Sequence, residues 1–493
     1  MGIPLNEILL LRADAGPHIG IGHVMRGLAL AQAWMRRGGE VHLASSHLPT
    51  LLASRLSREG LRLQDVQAEP GSVADADALA RLAREVGAPG AVIDGYAFGS
   101  GFADRFRQCG LRLMRVDDDP AAPSLGADQV VNPNLYMVPR QDQALPGEPE
   151  LFAGPRYALL RDEFREFPPR AGHAGPLRLL ITLGGSDPTG TTDWVLRALE
   201  RVSAPLDVRV VFGPAREASP PSAGNRHNVA LLTDVRDMAA QMAWADLALT
   251  GAGVACTELA RCGVPILALV QAENQVSVAA AVASLGLGWD LGFAPDESAL
   301  VERIETLARD AGVRAAMAAA GPRLVDGRGA NRVARAWDLG GLRLRPVRAA
   351  DAERLFVWAN DPGTRAMSFS SGPISWGVHL AWLERHLRDP GQRFFIAEDL
   401  RGTCLGQIRF QSFEESELIS VGLAPESRGR DWGRRVIAKA CASLPPGTTV
   451  AAYIKPENEA SLRAFAKAGF GPPGPAEWEG HRALRMDFTE EDT

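Results

Sequence analysis

Gly20-Ile21-Gly22-His23-Val24-Met25-Arg26 follows an apolar run, Ile8-Leu9-Leu10-Leu11, and the polar residues Arg12 and Asp14. Val24, Leu28, Ala31 and Met35 then recur on one helical face. The stretch reads as a strand, a glycine loop and a helix start, with a histidine on the first turn. A helix N-terminus offers unpaired backbone N–H groups and a positive dipole end, so it suits an anion such as a diphosphate. The same dipole disfavours an imidazolium, which leaves His23 a neutral imidazole able to accept a proton. Gly20, Gly22, Arg26, Arg12 and Asp14 are candidate substrate contacts around it. His23 could also simply cap the helix, and Arg12 and Asp14 could pair with each other.

The pattern continues outward. Runs at Val41–Ala44, Ala91–Asp94 and Leu113–Val116 alternate with helical patterns up to about Leu160, which predicts a parallel sheet with covering helices. After a loop rich in Pro, Arg and Gly from Phe167 to Pro176 the pattern restarts, with runs at Leu177–Leu183, Val208–Phe212, Leu247–Thr250 and Ile266–Val270. Two such α/β units imply a cleft at the carboxyl ends of their strands. Asp326 to Gly341 reads as a connector or as a closing helix of the second unit. A third, mixed α+β segment opens at Leu342-Arg343-Leu344-Arg345-Pro346. It carries strands at Phe394–Glu398, Gly406–Ser412 and Glu417–Leu423, then a helix and two further strands. The expected domains are 1–168, 174–338 and 342–488.

The bulk numbers bound the partners. A chain of 493 residues is about three domains on a ~150-residue prior. The net charge of −6 argues against a nucleic-acid partner held by bulk charge. Five scattered cysteines with no C-x-x-C pair fit a reducing cytoplasm and give no metal signal. The N-terminal apolar run is too short for a signal peptide, and nothing approaches the ~18 apolar residues of a membrane span.

Two more glycine turns follow strand patterns: Gly184-Gly185-Ser186-Asp187, and Gly251-Ala252-Gly253 with Glu258 on the helix it starts. Glycines there let a backbone approach a phosphate closely. Each turn alone is weak; three at three strand ends are not.

The first ~335 residues resemble the pseudaminic-acid pathway hydrolase that cleaves UDP-2,4-diacetamido-2,4,6-trideoxy-β-L-altropyranose. The matching stretches are Arg12-Ala13-Asp14, Gly20 to His23 with Arg26, Ile93-Asp94-Gly95-Tyr96, Asp117-Asp118, Tyr157 to Phe164, Gly184 to Asp187, Glu258 and Asn274-Gln275. The resemblance implies a GT-B fold, with His23 as the base that activates water and Glu258 on the uridine ribose. It also implies Asn274 and Gln275 near the diphosphate and sugar, Tyr96 on the sugar side, and Arg161 in the site. Arg161 could equally form an exposed pair with Glu163. UDP is a good leaving group, so one base and a diphosphate clamp suffice where a glycosidase needs two carboxylates. No metal-binding Asp-x-Asp motif is evident. Asp117-Asp118-Asp119 is the nearest candidate and reads equally as a solvated loop, so metal-independent hydrolysis is expected.

Val421-Gly422-Leu423-Ala424-Pro425-Glu426-Ser427-Arg428-Gly429-Arg430-Asp431-Trp432-Gly433 is a strand, a loop and a helix start. With Asn458-Glu459-Ala460-Ser461 and Phe465 to Phe470 it resembles the hallmark motifs of GNAT-fold N-acetyltransferases. The resemblance implies acetyl-CoA as co-substrate. Its pyrophosphate would lie on Arg428, Gly429, Arg430 and Gly433 at the helix start, its pantetheine along Val421 and Leu423, and further contacts at Asn458 and Ser461. Asp431 departs from the family's Arg/Gln-x-x-Gly-x-Gly loop, where a carboxylate could repel the pyrophosphate. Phe465 replaces the usual tyrosine. Glu417 is the candidate base for an amine, through water.

The combined expectation is an α/β chain, a GT-B-type pair of Rossmann-like domains followed by an α+β GNAT domain. The GNAT domain would acetylate a UDP-4-amino sugar. The GT-B pair would hydrolyse the UDP-linked diacetamido-trideoxy product to UDP and free sugar. A GT-B glycosyltransferase with a sugar N-acyltransferase, or a hydrolase with a non-catalytic GNAT-like module, are the alternatives.

Overall fold

The computed structural model describes residues 7–16, 19–118, 126–142, 148–166, 175–183, 190–212, 227–233, 235–293, 296–389, 393–399, 402–445 and 447–489. The chain forms two units, Leu5–Ala334 and Arg335–Thr493.

The first unit contains two sheets. The first runs β1 (Ile8–Ala13), α1 (Gly22–Arg36), β2 (Glu40–Ser45), α2 (Thr50–Arg58), β3 (Arg62–Asp65), α3 (Val73–Val86), β4 (Gly90–Asp94), α4 (Ser100–Gln108), β5 (Arg112–Val116), β6 (Gln129–Asn132), β7 (Arg140–Asp142) and β8 (Glu150–Ala153). Its order is β3-β2-β1-β4-β5-β6-β8-β7, parallel except where β7 meets β8. The order reverses between β1 and β4. Their following loops therefore depart to opposite sides and leave a crevice, which is where ligands settle in such sheets. His23 follows β1 and Tyr96 follows β4, so both reach that crevice.

The second sheet runs β9 (Leu177–Thr182), α5 (Thr191–Leu199), β10 (Leu206–Val211), β11 (Asn228–Leu232), α6 (Met238–Trp244), β12 (Leu247–Gly251), α7 (Val254–Arg261), β13 (Ile266–Val270), α8 (Val276–Ser284) and β14 (Gly288–Phe293). Helices α9 (Glu297–Arg309), α10 (Ala311–Leu324) and α11 (Gly329–Leu339) follow. The order β11-β10-β9-β12-β13-β14 repeats the reversal, here between β9 and β12. Strands β4, β12 and β13 are buried at every residue. Helices on both faces of a parallel sheet cause this, and it is why these strands read as unbroken apolar runs. Sequence missed the edge strands β3 and β11, which are short and carry exposed residues, and the four-residue interior strands β6 and β8. Asp326 to Gly341 holds a helix, α11, and the boundary between the two units falls within it, so it is not simply a closing helix of the second α/β lobe.

The second unit runs β15 (Leu342–Pro346), α12 (Ala352–Asn360), α13 (Pro362–Met367), α14 (Trp376–Arg388), β16 (Arg393–Asp399), β17 (Cys404–Phe413), β18 (Ser416–Leu423), α15 (Trp432–Cys441), β19 (Thr449–Ile454), α16 (Glu459–Lys467), β20 (Gly474–Trp478) and β21 (His481–Thr489). The segment after β18 therefore has two helices and three strands, where one helix and two strands were expected. β20 escaped notice because Gly474 and Pro475 open it. The order is β15-β16-β17-β18-β19-β21-β20. Strands β18 and β19 are parallel and pair only at Glu417 with Val450 and Leu418 with Ala451. Beyond those residues they diverge, so the β19-facing edge of Ile419–Leu423 is left open.

Candidate functional site

His23 lies on the first turn of α1, whose N-cap Ile21 makes no side-chain cap. Gly20, at φ +78°, supplies the left-handed turn that starts the helix there, and it bridges to Gly16 through paired backbone hydrogen bonds of 2.8 and 3.2 Å. The imidazole is 5% exposed. Its Nδ1 sits 2.7 Å from Asp94 Oδ1 at the end of β4. Arg26 Nη2 lies 3.0 Å from the same Nδ1, but the carboxylate is closer and can only accept, so in the neutral ring the proton is placed on Nδ1 and Nε2 keeps its lone pair. The edge of His23 meets the Tyr96 ring, with centroids 4.9 Å apart.

Asp94 is fixed in turn. Arg26, one helical turn after His23, donates from Nε to Asp94 Oδ2 at 2.8 Å and from Nη2 to Oδ1 at 2.7 Å. Its Nη1 reaches Asp118 Oδ1 at 2.5 Å and Nη2 reaches Oδ2 at 3.1 Å. The guanidinium is buried and pairs with two carboxylates, one of which holds Nδ1 of His23. Burial opposes ionisation of Asp118, but the charge and hydrogen bonds of Arg26, with Asn134, hold it down at about 2. Burial, and then the Asp118 charge, push Tyr96 up to about 12. Tyr96 therefore stays a neutral phenol, donating to Asp118 Oδ2 at 3.1 Å and accepting from Asn274 Nδ2 at 3.1 Å. Asp94, quoted only as part of a matching stretch, is a residue to which sequence assigned no role, and Asp118, read as a candidate metal ligand or a solvated loop residue, pairs with Arg26. An Asp at a strand end opposite a helix-start His was the available signal.

Arg12 and Asp14 are corrected in the same sense. Arg12 is completely buried and donates to Asp75 at 3.0 Å through Nε and Nη2 and to Ser46 at 2.9 Å. It also pairs with Asp14 at 2.7 Å, as the alternative reading had it. Asp14 accepts from the backbone N–H groups of Ser46 and His47. Together they bind β1 to the segment after β2 and face no cleft. Asp75→Ala strands this guanidinium with reduced compensation. A loss of about 3 kcal/mol in unfolding free energy is expected, read as a lower urea midpoint at an unchanged slope.

From the second lobe, Glu258 on α7 is half-buried and accepts from Arg161 Nη2 at 2.9 Å. Arg161 also lies 3.1 Å from Glu163. Desolvation raises Glu258, against the opposing pull of Arg161. The pairing of Arg161 with Glu163 is present, but buried rather than exposed. Gly251 ends β12, where an added Cβ would meet Gln271 Oε1 at 2.5 Å. Gly253 is the N-cap of α7 and has open space around it. A small cleft beside them is lined by Arg26, Pro133, Asn134, Leu160, Val254 and Thr257. Gly22 lies beside it too, where an added Cβ would meet Val254 at 3.7 Å. Gln275 accepts from the backbone N–H of Gln271 at 2.9 Å, next to Asn274. Gly184, Gly185, Ser186, Asp187 and Asp119 lie outside the described residues. Among the described residues no group of three or more His, Cys, Asp or Glu could hold a metal ion, and no helix is long and apolar enough to cross a membrane.

In the second unit, Val421 and Leu423 line the open edge of β18, and the loop from Arg428 leads to the start of α15. Gly429 and Asp431 both have positive φ, 74° and 59°. Gly433 lies on the first turn of α15, where a Cβ would touch Ala464 and Leu423. Arg430 is exposed. Arg428 is held by Asp361 at 2.7 Å and Thr364 at 2.9 Å. Asn458 accepts from the Ser461 backbone N–H at 3.1 Å, which makes these two the N-cap of α16. Phe465 is buried against Phe470. Glu417 shares a strand face with buried Ile419. Its carboxylate meets Ser412 at 3.3 Å and Arg393 at 3.6 Å, at the paired end of the wedge rather than inside it. A thioester arm fits along an unpaired strand edge, and a pyrophosphate fits an open helix start.

Two consecutive parallel lobes switch strand order beside glycine turns, and a splayed mixed sheet follows them. Residues 341–471 match the acetyltransferase (GNAT) domain family. The chain is 25% identical over 339 residues to the spore coat polysaccharide biosynthesis protein SpsG of Bacillus subtilis (strain 168), covering 65% of this chain and 95% of that protein. It is 29% identical over 359 aligned residues to the UDP-N-acetylglucosamine--N-acetylmuramyl-(pentapeptide) pyrophosphoryl-undecaprenol N-acetylglucosamine transferase of Xanthomonas campestris pv. campestris (strain B100), covering 67% of this chain and 81% of that one. The crystal structure of Acinetobacter baumannii MurG aligns with 68% of this chain and 99% of its own at 18% identity, with a TM-score of 0.49. The chain thus joins an SpsG-like N-terminal part to a C-terminal GNAT domain.

Proposed function

We propose that this chain carries out two consecutive steps on one UDP-sugar in pseudaminic-acid-type biosynthesis. The GNAT domain, residues 342–488, acetylates the 4-amino group of UDP-4-amino-4,6-dideoxy-N-acetyl-β-L-altrosamine. The lobes 1–168 and 174–338 then hydrolyse the UDP-2,4-diacetamido-2,4,6-trideoxy-β-L-altropyranose product. The buried His23–Asp94 contact carries the hydrolase reading. A ring whose Nδ1 is occupied by a carboxylate presents a basic Nε2, the arrangement that activates a nucleophile in hydrolases.

In the proposed reaction Nε2 takes a proton from water as the water oxygen attacks the anomeric carbon. The bond to the β-phosphate oxygen breaks, UDP leaves with the electron pair, and the configuration inverts. Tyr96, Asn274 and Gln275 flank the sugar, and the glycine-containing stretches 184–187 and 251–253 hold the diphosphate. Glu258 takes the ribose hydroxyls, exchanging part of its bond to Arg161. In the second unit the amine nitrogen bonds the acetyl carbon, its proton passes through water toward Glu417, the carbon–sulfur bond of the thioester breaks, and CoA leaves as the thiolate with the electron pair. The setting is a reducing cytoplasm, consistent with the cysteine usage.

Incubation with the diacetamido UDP-sugar alone tests the hydrolase step. UDP release without an acceptor, with ¹⁸O from labelled water in the free sugar, is expected. Label in UDP would overturn attack at the anomeric carbon, and UDP release only with an added acceptor would favour a glycosyltransferase.

A further inference from the structure

Asp431 stands where the loop pattern of GNAT proteins has glycine, and it adopts the left-handed conformation a glycine would use, φ 59° and ψ 5°. It is also the N-cap of α15, a ten-residue helix. An aspartate at an N-cap ordinarily accepts from the backbone N–H groups of the first turn, which satisfies the donors an external anion would use. Here it makes no such cap. Its carboxylate is drawn aside instead. Oδ2 accepts from Arg434 Nε at 2.6 Å, and Oδ1 lies 3.6 Å from Lys467 Nζ on α16.

Arg434 is itself anchored. Its Nη1 and Nη2 donate to both oxygens of Asp338, at 2.6 and 2.9 Å. Asp338 is 1% exposed and Arg434 6%. This paired geometry fixes the guanidinium plane and leaves Nε pointing at Asp431. Arg435 donates from Nε to the Asp338 backbone carbonyl at 2.9 Å, which holds the anchor from the other side. The arrangement uses one arginine as a bracket between a buried carboxylate and a loop carboxylate.

We propose that Arg434, with Lys467, is a positioning residue that keeps Asp431 from capping its own helix, so that the N–H groups at the start of α15 stay open to the pyrophosphate of acetyl-CoA. The two cations also neutralise the carboxylate that would repel that ligand. Without them Asp431 swings onto the N–H groups of residues 433–434 and occupies the anion site from within. The proposal rests on the acetyl-CoA reading of the loop.

The test is acetyl-CoA binding to the full chain by calorimetry. Arg434→Met is expected to weaken binding at least about tenfold, since one charge-assisted hydrogen bond set against another is worth roughly 1.4 kcal/mol or more. Asp431→Gly in the Arg434→Met background removes the competing cap and restores affinity to within about threefold of the unsubstituted chain. A merely structural arginine predicts that the double variant stays as weak as Arg434→Met, and that result overturns the proposal. Lys467→Ala, at the surface, leaves the Asp338 anchor intact and is expected to weaken binding about two- to threefold. Unchanged affinity in both Lys467→Ala and Arg434→Met also overturns it. If the unsubstituted chain does not bind acetyl-CoA at all, the acetyl-CoA reading itself fails, and the proposal with it.

Discussion

His23→Ala halts the reaction at the acetylated UDP-sugar. With the diacetamido UDP-sugar as substrate, kcat for UDP release is expected to fall about 10²- to 10⁴-fold, the range a positioned general base supplies. The loss is in kcat rather than KM, because the imidazole acts on water and not on the diphosphate that provides most of the binding. The fold tolerates the change, since His23 sits at a helix start and Arg26 retains Asp94 and Asp118. Mass spectrometry with UDP-4-amino sugar and acetyl-CoA separates the two steps. The acetylated nucleotide sugar accumulates while free sugar does not. Free sugar at the unsubstituted rate would remove His23 from the mechanism.

Asp94→Asn is the second large effect. The substitution keeps the shape and deletes the charge at 2.7 Å from Nδ1. An amide can turn its NH₂ toward Nδ1, which forces the ring proton onto Nε2 and removes the lone pair that accepts from water. A fall in kcat of about 10²-fold or more is expected. A purely structural Asp94 would instead lower stability and leave the rate of the folded fraction intact, so melting curves are run beside the kinetics. The double variant His23→Ala/Asp94→Asn supplies the sharper check. If Asp94 acts through His23, its rate equals that of His23→Ala alone. Multiplying losses would mean that Asp94 acts elsewhere.

Much of the architecture was legible because parallel strands buried on both faces must be apolar throughout, and glycine turns punctuate them. β1, β4, β12 and β13 were found for that reason. Edge strands such as β3 and β11 lack the signal, because one side of each meets solvent. The site was legible unevenly. His23, Tyr96 and Asn274 converge as the sequence reading expected, with Tyr96 bonded to Asn274 at 3.1 Å. Arg12 was taken for a ligand contact because a polar residue near a glycine turn looks the same whether it meets a substrate or a buried carboxylate.

The sequence by itself determined the element types, the strand-loop-helix around His23, and the likeness of the two parts to an SpsG-type enzyme and a GNAT domain. These follow from local periodicity and short motifs, which depend on neighbours a few residues apart. Only the tertiary structure decided how the charges pair. Asp94 is 71 residues from His23, Asp118 is 92 from Arg26, Asp75 is 63 from Arg12 and Asp338 is 96 from Arg434. Buried charges must find partners of opposite sign wherever the folded chain brings them. That requirement, invisible in sequence spacing, ties Arg12, Arg26 and Arg434 to carboxylates far from them in the chain.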